Sequence, residues 1–316
     1  MSRVRVLLIV GANRSGTTLV GRLAGVLPGT FFGGELAQVW SRGLVGNELC
    51  GCGEPFHRCP VWADVRRGLR DRVPTLDPPR IVDVQSRVDR LRNVPRLALG
   101  VHPGDPGGYE AWMEGVRALY LTLADVTGAD VLVDSSKRLS YALMVAGVPD
   151  VDLTVLLVTR DPRAVAFSKT RRRRRPEIVD KEVHMGTRPP WRSALNWTAV
   201  HALYGAVGHR FGRRATLRYE DVVTDPEASL GRLGDLVGAT RIPTLQDPRE
   251  IELGPSHSVS GNPMRLRTGK TPLVLDDEWT GAMPTRDRIV VTALTGPLLP
   301  WFGYPPWGGP RSAPRA

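Results

Sequence analysis

Five polar clusters in this chain carry side chains able to bind or move charge, and each follows a short apolar run. The first is Gly11-Ala12-Asn13-Arg14-Ser15-Gly16-Thr17-Thr18. Two glycines five positions apart, followed by hydroxyl residues that open a helical pattern, make a loop whose amides and helix N-terminus favour an anion. The nucleotide-hydrolase pattern G-x-x-x-x-G-K-[ST] demands Lys where Thr17 stands, so the residue that would reach a β- or γ-phosphate is absent, which disfavours a metal-nucleotide hydrolase. Instead a cation lies inside the loop, at Arg14, while Thr17 and Thr18 can donate hydroxyls to a single phosphate. The alternative is a Gly/Ser turn that only starts a helix.

Arg160-Asp161 follows the clearest apolar run, Val151 to Thr159. Arg160 offers a forked cation, and Ser168, about two helical turns on, can add a hydroxyl bond to the same group. The alternative is an Arg160–Asp161 ion pair with Ser168 as a buried helix serine. Glu35 lies 21 residues after Arg14, behind Gly33-Gly34, which let backbone approach a ligand closely. It is a candidate general base, or else an acid that favours a following helix N-terminus. The remaining clusters are Asp134-Ser135-Ser136-Lys137 and Tyr219-Glu220-Asp221.

Strands must hold these clusters. Val4 to Val10, Thr30 to Phe32, Val131 to Val133, Val151 to Thr159 and Ala215 to Tyr219 read as β-strands. Helical patterns cover Thr17 to Leu27, Tyr109 to Val126, Pro162 to Thr170, Trp191 to Phe211, Pro226 to Val237 and Pro284 to Leu299. Between about 36 and 101 an irregular Cys- and Pro-containing insert is expected, with one amphipathic stretch at Ile81 to Leu91. Alternating strands and helices predict an α/β fold, a three-layer α/β/α sandwich with a central parallel sheet. In such sheets ligands bind beyond the carboxyl ends of the strands, the edge that all five polar clusters share. One domain is expected over 1–304, followed by a loose Pro/Gly-rich tail, 305–316.

With these elements in place, Arg14-Ser15-Gly16-Thr17-Thr18 after a hydrophobic strand resembles the 5′-phosphosulfate loop of sulfotransferases that use 3′-phosphoadenosine 5′-phosphosulfate (PAPS). Val155 to Ser168, with Arg at a strand end and Ser eight residues later, is similar to that family's 3′-phosphate segment. Arg at position 14 and Glu35 look like the pattern of bacterial and tyrosylprotein-type members; soluble small-molecule members usually carry Lys at the former place and use a His base. The resemblance implies a P-loop nucleoside-triphosphate-hydrolase-like fold and transfer of a sulfuryl group to a hydroxyl, with an amine as second choice. It implies Glu35, Arg14 and Lys137 as catalytic residues. It further implies Arg14, Ser15, Gly16, Thr17, Thr18, Arg160, Ser168, Tyr219 and Arg265 as PAPS-binding residues, Tyr219 beside the adenine and Arg265 at the 3′-phosphate. No metal is required by this scheme. The acceptor stays open among carbohydrate, lipid, phenol, natural-product and peptide-tyrosine hydroxyls, because family acceptor pockets lie in variable insertions.

Composition sets the outer bounds. The 316 residues are 41% hydrophobic and 24% charged, ordinary globular usage. A net charge of +11 invites an anionic partner, although only four of the 43 basic residues are lysine. Cys50, Cys52, His57 and Cys59 form C-x-C-x4-H-x-C, which matches no strong zinc pattern; reduced structural cysteines and no metal site are expected. No apolar run is long enough to span a membrane, and a cytoplasmic protein is expected. Arg171 to Arg175 reads as a solvated run, or as a contact for an acidic acceptor. Two rival functions remain, a small-molecule kinase with a degenerate phosphate loop and a non-catalytic basic protein that binds anions or nucleic acid, the latter without any recognised binding module.

Overall fold

A computed structural model describes residues 3–172, 184 and 186–306. Strands β1 (Val4–Val10), β2 (Thr30–Gly34), β3 (Val131–Lys137), β4 (Val151–Thr159) and β5 (Arg213–Arg218) form one sheet in the order β2-β3-β1-β4-β5, every pairing parallel. Side chains alternate across it as the strand period requires. Val6, Leu8, Val10, Val155 and Leu157 enter one core; Leu7, Ile9, Val133, Leu156 and Val158 enter the other. That is why these strands read as unbroken apolar runs.

The helices are α1 (Thr17–Ala24), α2 (Pro60–Arg72), α3 (Pro78–Val88), α4 (Val94–Ala98), α5 (Pro106–Thr127), α6 (Leu139–Val145), α7 (Pro162–Thr170), α8 (Pro190–Val207), α9 (Tyr219–Thr224), α10 (Pro226–Val237), α11 (Trp279–Ala282) and α12 (Thr285–Thr295). Helices α2, α5 and α6 cover the first face through Trp62, Trp112, Leu119 and Tyr141. Helices α1, α9 and α10 cover the second through Leu23, Val222 and Leu233, joined by an antiparallel hairpin, β6 (Glu250–Leu253) and β7 (Gly269–Pro272). The result is the expected three-layer α/β/α fold with a central parallel sheet.

The insert is not irregular. Residues 60–98 hold α2, α3 and α4, with Trp62 fully buried in the core. Helices α2, α3 and α5 each begin on proline. At the first helical position proline loses nothing, because that N–H has no intrahelical acceptor. Asp77 and Asp105 cap α3 and α5 by accepting from Arg80 N at 3.3 Å and Gly108 N at 2.8 Å. Three predicted helices end early: α1 stops at Ala24 before Gly25, α8 at Val207 before Gly208, and α12 at Thr295 before Gly296-Pro297. Strand β3 runs four residues past its apolar part, because β1 and β2 pair with it on either side. Of the run Arg171 to Arg175, residues 173–175 lie outside the described residues, as do 307–316 of the predicted tail. Among the described residues, no helix is long and apolar enough to cross a membrane.

Candidate active site

Because the strands are parallel, their carboxyl ends meet at one edge, where a cleft of about 780 Å³ opens. From β1 the chain enters the loop 11–16, turned by two left-handed residues, Arg14 (φ 75°) and Gly16 (φ 86°). Gly16 is required twice over: a Cβ there would lie 2.5 Å from the ring of Tyr219, so the ring and the loop can touch only without a side chain. Helix α1 then starts with no side-chain cap, leaving its first amides for a ligand. Thr17 and Thr18 line the cleft, and Thr18 Oγ1 accepts from Asn262 N at 3.3 Å. Ser15 is wholly buried and does not line the cleft.

Arg160, at the end of β4, is 5% exposed. It donates to the carbonyls of Arg14 (3.2 Å) and Asp276 (3.0 Å), pairs with the Asp276 carboxylate at 3.0 Å, and lies 4.5 Å over the Tyr219 ring. Its Nε is buried with no hydrogen-bond partner among the described residues, a donor available to an anion. Ser168 instead accepts from Arg14 Nε at 3.1 Å. Asp161 does not pair with Arg160: it caps α7 through Arg163 N at 2.8 Å and holds the Arg163 guanidinium at 2.7 and 2.9 Å.

Glu35 sits where β2 ends, and its setting is fixed from both sides. On one side Val259 N donates to Gly33 O (2.9 Å) and Glu35 N to Val259 O (2.8 Å). Gly34, at φ 80°, has no room for a Cβ, which would lie 2.4 Å from that same Val259 oxygen. On the other side Leu36 N donates to Asp134 Oδ1 (3.2 Å) and Ala37 N to Ser136 Oγ (2.9 Å). Tyr120 donates to Asp134 Oδ2 at 2.8 Å; burial pushes this carboxyl up to about 6. Lys137, itself left-handed at φ 69°, donates from Nζ to Glu35 Oε1, and Ser260 Oγ donates to Glu35 Oε2 at 3.4 Å.

Cations dominate the lining. Arg14, Lys137, Arg160, Lys169 and Arg267 face Glu35 and Asp276. Burial and the neighbouring cations Arg14, Arg188 and Lys137 push Lys169 down to about 8. A multiply charged anion matches this excess of positive charge. Sequence reasoning missed Lys169, although it directly follows Ser168 and is one of only four lysines. It also missed Ser260 and the Asp134 bracket behind Glu35, since those contacts join segments far apart in the chain. Of the residues expected here, Glu35, Arg14, Lys137, Gly16, Thr17, Thr18, Arg160, Ser168 and Tyr219 line one cleft. Arg265 does not. It is buried with its guanidinium donating to Ser258 O and Leu49 O, each at 2.7 Å, so it braces the loop from behind.

No family model matches the chain. Human carbohydrate sulfotransferase 3 is 27% identical over 179 residues, 53% of this chain but only 37% of that protein, so the match spans little more than a third of the relative. Among solved structures, the sulfotransferase domain of the Synechococcus PCC 7002 olefin synthase superposes with a TM-score of 0.52 at 18% identity, covering 96% of each chain. The five-stranded order and the loop that opens α1 agree with these likenesses, and the structural match gives the chain the fold of a sulfotransferase domain.

Proposed function

We propose that this chain transfers a sulfuryl group from PAPS to a hydroxyl, with Glu35 as general base. The observation that carries this reading is the convergence of Arg14, Lys137 and Arg160 with Glu35 on one cleft. When bound, the donor supplies the activated sulfuryl group. The residues present fit it: the loop amides, Thr17 and Thr18 would hold the 5′-phosphate, while Arg160, with its unpartnered buried Nε, and Ser168 would hold the 3′-phosphate. The Tyr219 ring, pressed against Gly16, would flank the adenine. Ser15 enters this scheme through backbone only, and Arg265 is left out of it.

Glu35 takes the acceptor's proton on a carboxylate oxygen. Its orientation comes from Lys137 and Ser260, and its backbone from Val259 and the Asp134 bracket. Lys137 and Arg14 hold negative charge as it develops, in a cleft whose donors are already in place. The name of the human relative favours carbohydrate or other small-molecule hydroxyls as the first acceptors to screen.

Calorimetric titration with 3′-phosphoadenosine 5′-phosphate beside ATP with Mg²⁺ tests the donor site. Selective binding of the bisphosphate, lost in Arg160→Ala, is expected. Binding of ATP alone would favour a kinase, and binding of neither would return the chain to the anion-binding proteins.

A further inference from the structure

Three cysteines and a histidine converge outside the cleft. Cys50, Cys52 and Cys59 come from the segment ahead of α2, and His257 from the loop after β6. One ligand atom from each lies within 4.8 Å of all the others, and Cys59 Sγ is 3.2 Å from His257 Nδ1. Cys50 and Cys59 are buried, Cys52 and His257 partly so. His57, the nearer histidine in sequence, is turned elsewhere, its Nε2 3.0 Å from Leu44 O. The local spacing therefore failed as a metal pattern because the fourth ligand comes from the far end of the chain.

The scaffold around these four atoms is tightly held. Cys50 N donates to Glu54 O (2.8 Å), Gly53 N to Cys50 O (3.0 Å) and Gly51 N to Ser258 O (2.9 Å). Trp62 Nε1 donates to His257 O at 2.7 Å. Three thiolates and one imidazole are a structural zinc set; with Zn–S of about 2.3 Å and Zn–N of about 2.0 Å, tetrahedral ligand atoms lie about 3.5–3.8 Å apart. The observed spread closes to that by movements of roughly 1 Å or less. Soft sulfur ligands disfavour Mg²⁺ and Ca²⁺.

We infer that Cys50, Cys52, Cys59 and His257 bind one structural Zn²⁺, the three thiols releasing their protons to solvent as the Zn–S bonds form. The ion ties the Cys loop to the segment that carries Val259 and Ser260, and so to the backbone and carboxylate of Glu35. It touches no reacting group; its role is to position that wall.

The test uses the full chain, purified under reducing conditions with zinc and then dialysed free of it. Elemental analysis is expected to find about one zinc per chain and no iron, and a thiol-specific mercurial should release the zinc to a colorimetric chelator. Co²⁺ in its place should give the intense visible bands of a tetrahedral thiolate site. His57→Ala should retain zinc, whereas His257→Ala should weaken its binding by more than about tenfold. If His257→Ala fails to fold, the wild-type zinc content and cobalt spectrum decide alone. Clearly substoichiometric zinc, iron in its place, or a disulfide among the three cysteines would overturn the assignment. None of these outcomes bears on the titration with the bisphosphate.

Discussion

Three residues of the cleft, Arg14, Lys137 and Ser260, hold left-handed backbone although none is glycine. Such conformations cost about 1–3 kcal/mol each and persist where the surroundings over-determine them. Here all three side chains make contacts within the cleft: Lys137 and Ser260 bind Glu35, and Arg14 donates to Ser168 at 3.1 Å. Replacing Glu35 by Gln keeps shape and removes the base, so turnover should fall by about a hundredfold or more while affinity for the bisphosphate is retained. Full turnover in Glu35→Gln would remove Glu35 from the mechanism. Lys169 gives a pH signature. Free, it loses its proton near 8; a bound polyanion favours the charged form, so binding takes up a proton above that pH. Affinity for the bisphosphate should therefore weaken as pH rises past 8, and Lys169→Met should bind about tenfold more weakly at neutral pH with that dependence flattened. Calorimetry across pH reads both effects.

At the scale of elements, the polar end of β3 is the part that a propensity reading could not reach. Asp134, Ser135 and Ser136 look like a loop, yet all are buried. Asp134 and Ser136 spend their acceptors on the backbone just after Glu35, which makes them positioning residues. Asp134→Ala strands the Leu36 and Ser136 amides and the Tyr120 hydroxyl, and should cost about 3 kcal/mol in urea unfolding. Asp134→Asn isolates the titration. The unfolded chain releases this proton near the ordinary 3.8 while the fold holds it to about 6. The wild type should then lose stability from this group as pH rises through that window, and Asp134→Asn should lack that loss. Strands β1 and β4 were legible because both are apolar on both faces, whereas β5, Arg213–Arg218 at the sheet edge, is mostly polar and was read two residues late, from Ala215. Within the insert, the amphipathic stretch from Ile81 caught most of α3, while α2 and the start of α3 were hidden by Pro60 and Pro78, which read as breakers but serve as first residues. Arg265 was misassigned because its acceptor Leu49 lies 216 residues away, a contact no local pattern encodes.

For the whole molecule, the central parallel sheet with polar clusters at a single edge followed from the alternation of strands and helices, and so did the grouping of Glu35, Lys137 and Arg160, each at the end of a different strand. What could not be read was the closure of that edge by residues 256–276, which bring Ser260 to Glu35 and Asp276 to Arg160. Since the site joins distant parts of the chain, its occupancy should be felt globally. The bisphosphate at about 100 times its Kd should add about 2.7 kcal/mol to unfolding. A rise in Tm for the wild type, absent in Arg160→Ala, is expected by calorimetric scanning; an equal rise in both would assign the binding elsewhere.

The central strand of the sheet is also the first one synthesised. β1 pairs with β3 and β4, which begin at Val131 and Val151. At ordinary translation speeds the ribosome needs on the order of ten seconds to make those partners. Throughout that interval Val4–Val10, VRVLLIV, has neither of the strands it pairs with. A central strand made before both of its neighbours has to wait for them, so the sheet cannot close around β1 until the chain has been made through Thr159.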